Sequence, residues 1–189
     1  MENPETRCDW ATSDPLLEAY HDNEWGIPSH DDRYIFEMLT LEGAQAGLSW
    51  LTVLKKREGY RDAFENFQID KIVAFDEQKI QSLYQHPGII RNKLKIHSVV
   101  SNAKSALQVM KKNGSLSNYI WQFTDHQVIN NQWENTGKVP ASTLLSEKMS
   151  KQMKKDGFKF VGPTICYSFM QAVGIVNDHI TTCYRNKKN

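Results

Sequence analysis

The chain has no long apolar run. Stretches such as Ile72-Val73-Ala74-Phe75 fall far short of the roughly 20 residues that a membrane helix needs, so no membrane partner is expected. The N-terminal MENPETRCDW is polar and lacks the apolar core of a secretory leader. Cysteine is scarce and odd in number, with three residues, which makes a poor disulfide framework and points to a reducing, intracellular setting. Neither charge dominates: 23 Lys and Arg oppose 22 Asp and Glu, for a net +1. That balance argues mildly against a duplex-binding protein, although a total conceals local clustering. Low-complexity tracts, Gly/Ser linkers and fixed-period repeats are also missing. So is period-two alternation, which excludes most β architectures.

What remains is helical periodicity in 189 residues that are 40% hydrophobic, enough for a substantial core. Apolar residues at Tyr34, Ile35, Met38, Leu39 and Leu41 define a helix over 31–42. Further helices are expected over 48–59, 60–67, 76–85, 91–112, 117–123, 143–155 and 164–173. Asn113-Gly114 should stop the longest, and 124–141 reads as the longest loop. The fold class is all-α.

Cys8, His21, His179 and Cys183 have the chemistry of a closed tetrahedral zinc site that would staple the chain ends together. Scattered thiols and surface histidines are the alternative. His30, His86, His97 and His126 lack such partners, and Cys166, within Ile165-Cys166-Tyr167-Ser168-Phe169-Met170, reads as a small core residue.

A second constellation spans Lys154 to Thr164, KKDGFKFVGPT. Gly157 can end one helix in a left-handed conformation and Pro163 suits the first turn of the next. A tight turn at Val161-Gly162 would leave backbone N–H groups free for phosphate beside a helix N-terminus. Lys151, Lys154, Lys155 and Lys159 add local basicity. A plain αα-corner is the other reading. Third, Trp10, Tyr20, Trp25 and Trp50 lie among the first fifty residues with Glu42 and Gln45. Aromatic faces with one carboxylate can hold a flat cationic heterocycle, unless the rings are simply core.

The segments Arg7-Cys8-Asp9-Trp10, Ala19 to Gly26 (AYHDNEWG), Leu41 to Trp50 (LEGAQAGLSW), Gly88 to Lys93 (GIIRNK), Gly157 to Gly162 (GFKFVG) and Val176-Asn177-Asp178-His179 resemble the bacterial DNA-3-methyladenine glycosylase I family. The resemblance runs from about Arg7 to Cys183. It implies a helix-hairpin-helix glycosylase fold of two helical lobes, forming one unit over 1–189 with the hairpin at about 144–174. It implies a monofunctional base-excision repair enzyme, a monomer of the bacterial cytoplasm. Its substrate would be alkylated double-stranded DNA and its product free 3-methyladenine.

The family carries a structural zinc, whose ligands fall on Cys8, His21, His179 and Cys183. Its base pocket falls on Glu42, Tyr20 and Trp50, with Trp10 and Trp25 nearby. On this reading Glu42 accepts hydrogen bonds from the base and Trp50 stacks on it. Phe160, Val161, Gly162 and Thr164 contact the DNA backbone, and Leu48 is the wedge that fills the vacated stack. Asp178, next to His179, is read as supporting that metal ligand. The competing readings are a glycosylase with a broader range of alkylated bases and a non-catalytic zinc-stabilised DNA-binding module.

Overall fold

The computed structural model describes residues 6–187. The first five residues, where the polar N-terminal reading begins, and Lys188 and Asn189 lie outside the described residues. Among those described, the chain is built from helices, with two-residue strands as the exception. α1 (Pro15–Asn23) starts at Asp14, whose side chain accepts from the Leu16 N–H, with Pro15 at the first helical position. α2 (Asp32–Gln45) is capped by Asp31 and buries ten residues in succession from Ile35 to Ala44. A helix buried on every face sits at the centre of a core, and α2 therefore carries Glu37, Thr40 and Glu42 into the interior.

The helix expected over 48–59 is broken. α3 (Trp50–Leu54) starts at the Ser49 cap, and after a turn at Lys55 and Lys56 α4 (Arg57–Ala63) begins. The expected helix over 60–67 ends early, because Glu65, Asn66 and Phe67 take positive φ. Periodicity runs straight through both breaks because each fragment turns the same apolar spacing to the core. α5 (Ile69–Val73) is too short for that signal, and α1 shows only three buried positions in nine. Neither was read from sequence.

α6 (Glu77–Leu83), α7 (Lys93–Asn113), α8 (Leu116–Trp121), α9 (Leu144–Lys155) and α10 (Pro163–Ala172) fall close to expectation. Gly114 stops α7 at φ 86°. Within the long 124–141 segment, β1 (Ile129–Asn130) pairs in parallel with β2 (Val176–Asn177), a pairing too short to show alternation.

α9 and α10 form a hairpin. Gly157 (φ 92°) ends α9, Phe160 takes φ 54°, and Pro163 opens α10. Asn102 of α7 pins the turn, accepting from the Lys159 N–H at 2.7 Å and donating to the Lys159 carbonyl at 3.1 Å.

Near the end of α1, Arg57 bonds both Glu24 oxygens at 2.7 Å and Glu37 at 2.7 Å, and Arg61 also meets Glu37 at 2.8 Å. This buried network joins α1, α2 and α4. Removing the shared cation leaves Glu37, only 6% exposed, with less compensation. Arg57→Met is therefore expected to cost about 3 kcal/mol, read as a lower urea midpoint with an unchanged slope. A change within ±0.5 kcal/mol would show the network to be dispensable.

Candidate functional site

Cys8, His21, His179 and Cys183 are all buried, and their donor atoms lie within 4.8 Å of one another. His21 comes from α1, Cys8 lies on the approach to it, and His179 and Cys183 sit on the turn after β2 rather than on a helix. His21 Nδ1 is 2.8 Å from Asp22 Oδ1, and Arg7 holds that carboxylate. His179 Nε2 is 3.0 Å from the Trp25 carbonyl, an acceptor to which it must donate. Each ring therefore spends its N–H outward, and His21 Nε2 and His179 Nδ1 turn their lone pairs to each other at 3.2 Å. Cys183 Sγ lies 3.4 and 3.5 Å from these nitrogens, and Cys8 Sγ 3.8 Å from His179 Nδ1. The proximity of the two sulfurs draws Cys183 toward thiolate and keeps Cys8 protonated. Inward lone pairs beside a thiolate are the donor set of a metal ion. The cluster could hold one.

The other histidines have different surroundings. His30 meets Ser117, His86 meets Asp62 and His97 meets Tyr84, while His126 is exposed. Cys166 is core, 1% exposed. The expectation for Asp178 is corrected. It bonds neither His21 nor His179; its carboxylate accepts from Asn131, Trp133, Tyr167 and Gln171. The groups that orient the histidines are Asp22 and the Trp25 carbonyl instead.

Directly beside this cluster is a cavity of about 380 Å³, lined by Trp10, Tyr20, Trp25, Glu42, Gln45, Trp50, Thr136, Val139, Ser168, Gln171 and Asp178. All five aromatic and acidic residues singled out from sequence line it. Trp10 and Trp25 meet edge to face at 5.0 Å, and Tyr20 and Trp50 lie 5.2 Å apart at 55°. The Tyr20 hydroxyl and the Trp50 indole N–H are buried without a partner. Glu42 is 5% exposed, and no hydrogen bond or ion pair reaches it among the described residues. Burial alone pushes its carboxyl up to about 8. Unmet donors and acceptors facing one cavity are costly to maintain and are the mark of a ligand site.

A second opening, lined by Gln45, Leu48, Thr164, Ile165 and Ser168 and sharing Glu42, leads from the cavity toward the start of α10. Leu48 is 40% exposed. The Val161 side chain is buried, so only its backbone can face a ligand. The N–H groups of Phe160, Val161, Gly162 and Thr164 have no protein partner among the described residues. Sequence reading missed Gln171, Ser168, Thr136 and Val139, since wall residues of this kind carry no motif.

Fold and site together define a helical protein with an aromatic, carboxylate-bearing pocket opening beside a helix-hairpin-helix. The chain belongs to the methyladenine glycosylase family, whose model matches residues 10–186. It is 50% identical over 177 residues to DNA-3-methyladenine glycosylase 1 of Escherichia coli (strain K12), covering 94% of this chain and 95% of that protein. A DNA-3-methyladenine glycosylase of Haemophilus influenzae is 44% identical over 178 residues, covering 94% and 96%. Among solved structures, that of 3-methyladenine DNA glycosylase I from Staphylococcus aureus, described as showing the structural basis of 3-methyladenine recognition, matches with TM-score 0.94 at 33% identity. It covers 99% of this chain and 100% of that one.

The environment of Glu42 has a measurable consequence. With its carboxyl raised to about 8 in the folded state, the native protein holds a proton that the unfolded chain has released above about pH 4.5. Stability therefore falls as pH rises between these values. Glu42→Gln should stabilise the ligand-free protein by on the order of 4 kcal/mol at pH 8, with the gain vanishing near pH 4.5. Denaturant midpoints at the two pH values check this, and a pH-independent difference would refute it.

Proposed function

We propose that this chain excises 3-methyladenine from alkylated double-stranded DNA by hydrolysing the N-glycosidic bond, leaving an abasic site. The observation that carries the reading is Glu42, a buried carboxyl without a partner, sharing one cavity with two aromatic pairs and the orphaned Tyr20 hydroxyl and Trp50 N–H. Alkylation at N3 makes adenine cationic and a good leaving group. A cation is what an unpaired buried carboxylate and π faces favour, and a flipped base supplies polar edges for the orphaned groups.

On this reading the chain's residues divide the work. The amides of Phe160, Val161, Gly162 and Thr164 bind phosphates beside the lesion, which demands no sequence preference. Local amides and Lys159 provide this grip, so a net charge of +1 is no obstacle. Leu48, exposed on the turn between cavity and hairpin, fills the space that the extruded nucleotide leaves. Trp50 stacks on the purine and Glu42 accepts from its edge. Trp10 and Trp25 close the far wall against water. The leaving group is activated before it arrives, so binding and pocket electrostatics supply the remaining barrier reduction.

Zinc is the metal we assign to Cys8, His21, His179 and Cys183. At about 2.0–2.1 Å to nitrogen and 2.3 Å to sulfur, a tetrahedral zinc needs donors roughly 3.3–3.8 Å apart. Four of the six donor separations run from 3.2 to 3.8 Å, and all six lie within 4.8 Å. Four protein ligands close the shell, so the ion's contribution is to join the chain ends, not to activate water. A monomer acting as one unit in the bacterial cytoplasm completes this reading, and bacterial relatives support the bacterial setting.

An assay for abasic sites on methylated duplex DNA tests the activity. Wild type should generate them with release of 3-methyladenine, and Glu42→Gln should lose at least 100-fold in kcat/KM while keeping its fold. A Glu42→Gln variant as active as wild type would remove Glu42 from the site. Release of 7-methylguanine at a comparable rate would favour the broader-range reading. Native mass spectrometry should show one zinc per chain, with loss of thermal stability on chelation; a folded, metal-free protein would overturn the zinc assignment.

A further inference from the structure

The cavity contains a second carboxylate, Asp178, used quite differently from Glu42. Its Oδ1 accepts from Asn131 Nδ2 at 2.7 Å and Trp133 Nε1 at 2.8 Å. Its Oδ2 accepts from the Tyr167 hydroxyl at 2.6 Å and Gln171 Nε2 at 2.7 Å. With both oxygens occupied and only 1% exposed, Asp178 is poorly placed to take a proton from water. What it controls is orientation. A carboxylate is acceptor-only, so the Gln171 amide must turn its NH₂ toward Asp178; the flipped amide would set two acceptors against each other. The Trp133 N–H, which can only donate, fixes the arrangement from the other side.

We propose that Gln171 is a specificity residue, held by Asp178 so that its amide oxygen is presented as a fixed acceptor for the exocyclic amino group of the bound base. Gln171 lines the cavity, and its Oε1 has no partner among the described residues. The inference rests on the glycosylase reading and sharpens it. An amino group carries two N–H donors, enough for Glu42 and Gln171 together. Glu42 by itself discriminates poorly, because a carboxyl near its titration point can accept from an amine or donate to a carbonyl. An amide has no such freedom once its nitrogen is engaged. A purine with oxygen at the 6-position would place its acceptor against Oε1 and leave both groups unpaired. Asp178 is in this sense a positioning residue. It also ties the 131–139 segment, which supplies Thr136 and Val139, to α10, which supplies Ser168 and Gln171.

The test compares binding of two free bases of nearly the same shape, 3-methyladenine and 3-methylhypoxanthine, which has oxygen in place of the amino group. Wild type should prefer 3-methyladenine at least tenfold. Gln171→Met should cut that ratio about tenfold, chiefly by weakening 3-methyladenine. Asp178→Asn, whose amide can meet either face of Gln171, should compress the ratio in the same way, with metal content and melting temperature as controls on its fold. If Gln171→Met weakens both bases equally, Gln171 is wall packing only and the proposal falls. It falls too if the ratio is unchanged. A wild type that releases no 3-methyladenine from methylated DNA would instead overturn the underlying reading of function.

Discussion

Everything near the pocket depends on the closure of the chain ends through Cys8, His21, His179 and Cys183. The two halves of this cluster are separated by 158 residues between the histidines, and their meeting draws the pocket walls together. Trp25 is held from both sides. Its carbonyl takes the His179 N–H, and its ring stacks on His21 at 6.0 Å and 23°. Trp10 then packs edge-on against Trp25. The approach is so close that a Cβ at Gly26 would come within 3.1 Å of His179 Nε2, and the residue sits at φ +74°. Only glycine meets both conditions without strain. The ligand cluster is therefore also the hinge-pin of the aromatic wall.

Three buried carboxylates show how one functional group is put to three uses by its neighbours. Glu37 is neutralised by Arg57 and Arg61 and holds helices together. Asp178 is met by four neutral donors and holds orientation. Glu42 is left without a partner, and burial raises its pKa to about 8. The contrast is what separates scaffold from site: a paired charge is satisfied within the fold, while a buried carboxyl left without a partner awaits a ligand. α2 carries both Glu37 and Glu42, so the energetic cost of the latter is borne by a helix otherwise packed on every face.

Much of this was legible before any coordinates. The stop glycines Gly114 and Gly157 and the helix-opening Pro163 are local chemistry, so the end of α7 and the α9–α10 hairpin are readable. The Cys8, His21, His179 and Cys183 cluster and the cavity residues Trp10, Tyr20, Trp25, Glu42 and Trp50 were legible because their types are rare and chemically specific. α1, α5 and the break between α3 and α4 were not. A helix with few buried positions leaves little period to detect, and a short break that preserves the apolar spacing leaves the period intact. Asp178 was misread for a related reason. Adjacency to His179 in sequence suggested a shared role, but the backbone turns its side chain toward Tyr167 and Gln171.

The sequence by itself determined the helical class, the hairpin and the family, since each rests on local propensity or on rare residues in distinctive segments. Which polar groups go unmet was decided only by tertiary structure. Whether Glu42 is paired, whether the Tyr20 hydroxyl finds an acceptor and which way the Gln171 amide faces all depend on atoms brought near from distant parts of the chain. Hydrogen bonding is a matter of ångströms and angles, and no spacing along a sequence encodes it.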